Sequence, residues 1–94
     1  VPGGLMESTF SLDQNYPNPF AVETNITYSL TRPTQIDIVI RDITGKTLLV
    51  VNEGMKPIGK HSVQFKAEDF DVGLYTYTII AGDSQKTKQM VISN

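Results

Sequence analysis

The chain contains no cysteine, so neither a disulfide nor a thiolate metal site can help it fold, and the hydrophobic pattern must supply stability alone. It also contains no tryptophan, the ring most often used to stack on sugars. An excess of positive charge is missing too. Eight Lys and Arg face ten Asp and Glu, for a net charge of −2 and a pI near 5.1. The charges are scattered singly and form no basic stripe of the kind nucleic-acid binders carry, so nucleic acid is not an expected partner. The longest apolar run, Leu48 to Val51, has four residues, far short of the ~20 that a membrane-spanning helix needs. The first residues lack a charged stretch followed by an apolar one, so a secreted parent is expected to carry its signal peptide upstream.

What is present is alternation. Ninety-four residues suit one domain, which at this size buries roughly 60–65% of its unfolded surface. Val1-Pro2-Gly3-Gly4 reads as the end of a linker, because Pro and Gly break both helix and strand; residues 1–8 are assigned to that linker and 9–94 to the folded domain. Thr9 to Leu12 is a short first strand, closed by the turn-rich run Gln14 to Pro19, where two prolines forbid ladder bonding. Ile26, Tyr28 and Leu30 alternate with polar residues, and Ile36, Ile38 and Ile40 with Gln35, Asp37, Val39 and Arg41, the period of a strand with one buried face. Asp42 to Gly45 forms a hairpin turn, with Gly45 able to take a positive φ. The return strand, Thr47 to Val51, is apolar on both parities, which predicts cover on both faces or packing on a neighbouring domain. Asn52 to Lys60 contains Gly54, Pro57 and Gly59 and reads as a loop. His61, Val63 and Phe65 alternate next, then Tyr75, Tyr77 and Ile79, and Ser84 to Ser93 forms the last strand after a Gly82-Asp83 turn. Seven strand-like segments with turns every 8–12 residues or so predict an all-β, immunoglobulin-like or fibronectin-III-like antiparallel sandwich.

Catalysis needs a nucleophile–base pair, a carboxylate pair in a cleft, or a metal. His61, the one histidine, shares parity with Val63 and Phe65 and reads as a partly buried strand residue. No G-x-S-x-G elbow exists for it to serve. Glu68, Asp69 and Asp71 flank Phe70 without the spacing of a calcium loop, whose ion takes about 6–8 oxygen ligands; a solvated connection is the better reading. Tyr16, Phe20 and Phe70 fall in loops and read as lids over the sandwich ends rather than a sugar-stacking platform. No catalytic residue, metal ligand or cofactor is expected.

Taken in order, the motifs are more specific than their physics. Phe10 to Phe20, with Gln14-Asn15-Tyr16-Pro17-Asn18-Pro19-Phe20, leads into Thr24-Asn25-Ile26-Thr27-Tyr28-Ser29-Leu30. Ile40-Arg41-Asp42-Ile43-Thr44-Gly45-Lys46 and Pro57-Ile58-Gly59-Lys60-His61 follow. Gly73-Leu74-Tyr75-Thr76-Tyr77 and Lys86-Thr87-Lys88-Gln89-Met90-Val91-Ile92 complete the series. Together they closely resemble the C-terminal sorting domain of type IX (Por) secretion cargo, type A family, and the related immunoglobulin-like domain of flagellar hook-capping proteins. Ala21-Val22 departs from the Asn-Pro that relatives often carry there, a loop change expected to leave the strand order intact.

The resemblance implies an address label on a larger protein. Its expected partners are a covalently linked upstream cargo domain, the outer-membrane translocon and a sortase-like peptidase. The expected route runs through the periplasm to the medium or the surface of a Gram-negative cell, with the domain itself monomeric. Candidate contact residues are Pro17, Asn18 and Pro19 in the loop, Gly73 and Tyr75 in the sixth strand, and Lys86 and Lys88 in the last. A terminal strand lies near a sheet edge, where backbone groups and lysines can meet a partner. The motif residues also have a structural reading: Asn18 can cap its own turn, and Tyr75 and Tyr77 can fill the core. Lys86 and Lys88 share parity with Met90 and Ile92, which requires either an overhanging strand or a bulge. A carbohydrate-binding or spacer module and a hook-cap-like assembly domain are the alternatives from other classes.

Overall fold

The computed structural model describes residues 10–94; the linker assigned to residues 1–8, and Thr9 of the first strand, lie outside the described residues. Seven strands follow one another: β1 (Phe10–Leu12), β2 (Glu23–Leu30), β3 (Thr34–Asp42), β4 (Thr47–Lys56), β5 (Gly59–Lys66), β6 (Gly73–Ala81) and β7 (Ser84–Ile92). They form two antiparallel sheets, ordered β1-β2-β5 and β4-β3-β6-β7. The chain is thus an all-β sandwich, as the alternation predicts.

Strand alternation translates directly into the core. Ile26, Tyr28 and Leu30 of β2 face Ile36, Ile38 and Ile40 of β3, Tyr75, Tyr77 and Ile79 of β6, and Met90 and Ile92 of β7, all buried in one cluster. Burying an Ile or Leu side chain contributes about 1.5–3 kcal/mol, so the central pair β3–β6 carries much of the stability of a domain that has no disulfide.

Two expectations need correction. Asn52 to Lys60 is not a loop: β4 runs on to Lys56 and β5 begins at Gly59. Gly54 is compatible with a strand because it sits at a bulge, where Ile36 pairs with Gly54 but Asp37 pairs with Asn52, leaving Glu53 extra. Its φ of 82° is the left-handed value that such a bulge asks of its glycine. The connection shrinks to Pro57-Ile58, which carries the chain from one sheet into the other.

The second concerns the expectation of cover on both faces of β4. That strand is the last of its sheet, and Leu48, Leu49 and Val50 are 37%, 38% and 50% exposed. Among the described residues nothing covers both of its faces. A second bulge, where Ile40 pairs with Leu49 but Arg41 with Thr47, makes Leu48 the extra residue and breaks the simple parity of the run.

Candidate recognition surface

The turn-rich segment between β1 and β2 folds back along β7. Gln14 Nε2 donates to Gln89 O at 2.6 Å, and Val91 N–H donates to Asn18 Oδ1 at 2.9 Å. Phe20 N–H donates to Val91 O at 3.0 Å, and Ser93 N–H to Phe20 O at 2.8 Å, so Phe20 bridges Ile92 in parallel fashion. Asn18 therefore does not cap its own turn. Its side chain ties the loop to a strand seventy-three positions away.

The local turn is held by a neighbour instead. Asn15 is 2% exposed, and its Nδ2 donates to Thr24 Oγ1 at 2.9 Å and to Pro17 O at 3.2 Å. Thr24 Oγ1 in turn donates to Pro17 O at 2.7 Å. Both prolyl bonds here, Tyr16–Pro17 and Asn18–Pro19, are cis. Asn15 and Thr24 stand in the motif series without a role of their own there; the available signal was Thr24 sharing parity with Ile26 and Tyr28.

Tyr77 locks the same segment from within. Its hydroxyl donates to Asp13 O at 2.8 Å and accepts from Asn15 N–H at 2.8 Å. Burial, with Asp13 nearby and despite the Asn15 N–H, pushes the phenol up to about 12, because a buried phenolate loses its hydration. Tyr75 is buried as well, and its hydroxyl donates to Asp71 O at 2.7 Å.

Gly73 pairs with Ile92 across the β6–β7 ladder and has φ 154°. A Cβ there would meet nothing within 4 Å, so its backbone conformation, not its space, favours glycine. Gly73, Ile92 and Phe20 consequently lie side by side at one end of the sheet. The structure thus brings Pro17, Asn18, Pro19 and Gly73 together around the C-terminal end of β7.

The lysines lie elsewhere. Lys88 pairs with Tyr77 and Lys86 with Ile79 in an unbroken register, so no bulge resets the alternation, and both lysines are partly buried on the parity of Met90 and Ile92. The Lys86 ammonium stands 5.3 Å from the centre of the Phe10 ring, within the reach of a cation–π contact. From Lys86 to Val91 is about 17 Å at strand rise; the lysines and the proline loop are two ends of one strip. Strand addition along that strip is blocked from Gln89 to Ser93, where backbone groups already have partners.

The remaining aromatics turn inward. Phe20 is 3% exposed and meets Phe65 edge-on at 6.1 Å, while Phe70 packs on Phe65 and Tyr75 at 5.1 and 5.7 Å. Both act as lids, but Tyr16 is exposed and covers nothing. His61 stacks on Tyr28 at 5.5 Å, with its Nε2 2.8 Å from Pro57 O. Glu68, Asp69 and Asp71 do not converge as a cation site; among the described residues no metal-holding group of three exists.

Residues 14–93 match the family described as the secretion system C-terminal sorting domain. The chain belongs to that family. The match spans every strand but β1 and includes the whole proline loop and β7 strip. No curated protein matches the chain. The family is that of the C-terminal sorting domains of type IX secretion, and a sorting-domain family is not an enzyme family. Membership implies contact with the type IX machinery, attachment to a cargo, and transit towards the cell surface or the medium.

Proposed function

We propose that this sorting domain is the label by which an attached cargo is carried across the outer membrane, recognised as a folded sandwich by the type IX translocon and presented to a sortase-like peptidase. The observation that carries the reading is the family match over residues 14–93. The contact surface belongs to the same proposal. The Pro17–Pro19 loop, Gly73 and the lysines of β7 form one strip in which hydrogen bonds to β7 hold the loop's backbone. A rigid strip loses little conformational entropy when a partner binds it.

The test fuses residues 1–94 behind a signal peptide and a fluorescent reporter in a host with type IX export. The parent fusion reaches the surface or the medium. Lys86→Gln with Lys88→Gln keeps strand length and most of both stems, so the unfolding midpoint stays near the parent value while exported reporter falls. Retention of the parent fusion in the periplasm would overturn the sorting role; normal export of the double variant would remove the lysines from the contact strip.

A further inference from the structure

On the side of the sandwich away from β7, the edges β4 and β5 leave a groove of about 760 Å³, within the roughly 300–1,000 Å³ of ligand pockets. Its floor includes Ile26, Ile38, Ile40, Phe65 and Tyr75, and Leu48, Leu49 and Val51 wall it on the β4 side. No residue from 52 to 62 lines it, so the groove lies at the end away from the Pro57-Ile58 connection, where that short link does not hold β4 and β5 together.

Both walls are terminal strands, and a terminal strand presents unpaired N–H and C=O groups along one side. Native edges are blunted by lysine, proline or bulges; Leu49 to Asn52 contains none of these. Between its two bulges β4 keeps regular register from Leu49 to Asn52, the straight stretch that another strand would need. The mouth is acidic. Asp42, Glu68, Asp69 and Asp71 line it against the single base Lys66, all at the Thr47 end of β4, where Asp42 pairs with Tyr75.

We infer that the β4–β5 groove accepts an extended strand of a partner protein that pairs with β4, sets alternate apolar side chains on the groove floor and ends in basic residues at the acidic mouth. Every ladder in the domain is antiparallel, and antiparallel addition is slightly the more stable. In that sense the partner's C-terminal end lies at the Thr47 end of β4, which places its lysines or arginines there. A second copy of this chain fits poorly, because its own acidic mouth and net charge of −2 would meet their like. The inference rests on the sorting role for the partner's owner, a component of the export machinery.

The probe is an eight-residue peptide alternating threonine and valine and ending in two lysines, titrated into the whole chain while backbone amide resonances are followed. Shifts confined to Leu49–Asn52 and the 67–72 loop are expected, with binding at least tenfold weaker when the lysines become glutamates and abolished when the central valine becomes proline. Equal binding of the lysine and glutamate peptides, shifts centred on β7, absence of binding, or self-association through β4 would each overturn the inference. Leu48→Lys, at a partly exposed position, should abolish peptide binding and lower reporter export at an unchanged unfolding midpoint. Export of Leu48→Lys at the parent level would refute the groove as an export contact. Retention of the parent fusion would refute the sorting role instead, and the peptide titration would still decide the groove.

Discussion

Along one side of the sandwich, β1 and β7 are stitched together by the segment between them: Tyr77 binds Asp13 and Asn15, Asn18 and Phe20 bind Val91, and Lys86 lies over Phe10. Along the other side β4 and β5 share a two-residue connection and then leave apolar side chains open to water. The two sides have similar raw material, strand edges with aliphatic residues beneath. They differ in whether a loop returns to cover them. A side closed by many interlocked hydrogen bonds resists opening as a unit, whereas an open apolar edge is a liability unless something occupies it.

The sharpest way to break the comparison is to unlatch the closed side. Phe20→Ala removes a buried ring beside Phe65 and should cost about 3–5 kcal/mol, read as a lower urea midpoint. A loss below about 1 kcal/mol would show that the loop is an ornament on β7 rather than its cover.

Tyr77→Phe tests the polar half of the same closure. It keeps the ring but strands Asp13 O and Asn15 N–H, and should cost about 1–3 kcal/mol. The pH dependence carries a sign. Tyr77 and Tyr28 are both pushed up to about 12, chiefly by burial and for Tyr28 also by nearby Glu53. The unfolded phenols ionise near their ordinary value of about 10, so the unfolded state loses protons first. Stability is therefore full below pH ~10 and declines as pH rises towards about 12. Tyr77→Phe should make that decline shallower; an unchanged alkaline slope would assign it to other groups.

On the open side the expected effect is smallest. Val50→Thr, at a half-exposed edge position, should change stability by less than about 0.5 kcal/mol. A large loss would mean that β4 packs against something in the isolated domain, and the contrast between the two sides would dissolve.

These contrasts separate what could be read from residue order. The sandwich, its seven strands and the buried faces of β2, β3 and β6 were legible, because alternation with period two reports which face of a strand leaves water. The ordered series of motifs also carried the family. The same signal misread Asn52 to Lys60, since Gly54 looks identical in a loop and in a bulge until the pairing of Ile36 and Asp37 is known. It placed Lys86 and Lys88 on the core face without saying that Phe10 would meet one of them. It left Asn15 and Thr24 unmarked, since a buried polar residue becomes visible only through its partners.

What the sequence determined by itself is therefore local: strand identity, inward faces, most turn positions, the absence of disulfides, and membership of the sorting-domain family. The tertiary structure alone decided that β4 is an edge, that Asn18 reaches Val91 rather than its own turn, and that one side is latched while the other stays open. The physical reason is that periodicity encodes burial one strand at a time, whereas edges, latches and grooves depend on which strands become neighbours, and that is set by contacts between residues far apart in the chain.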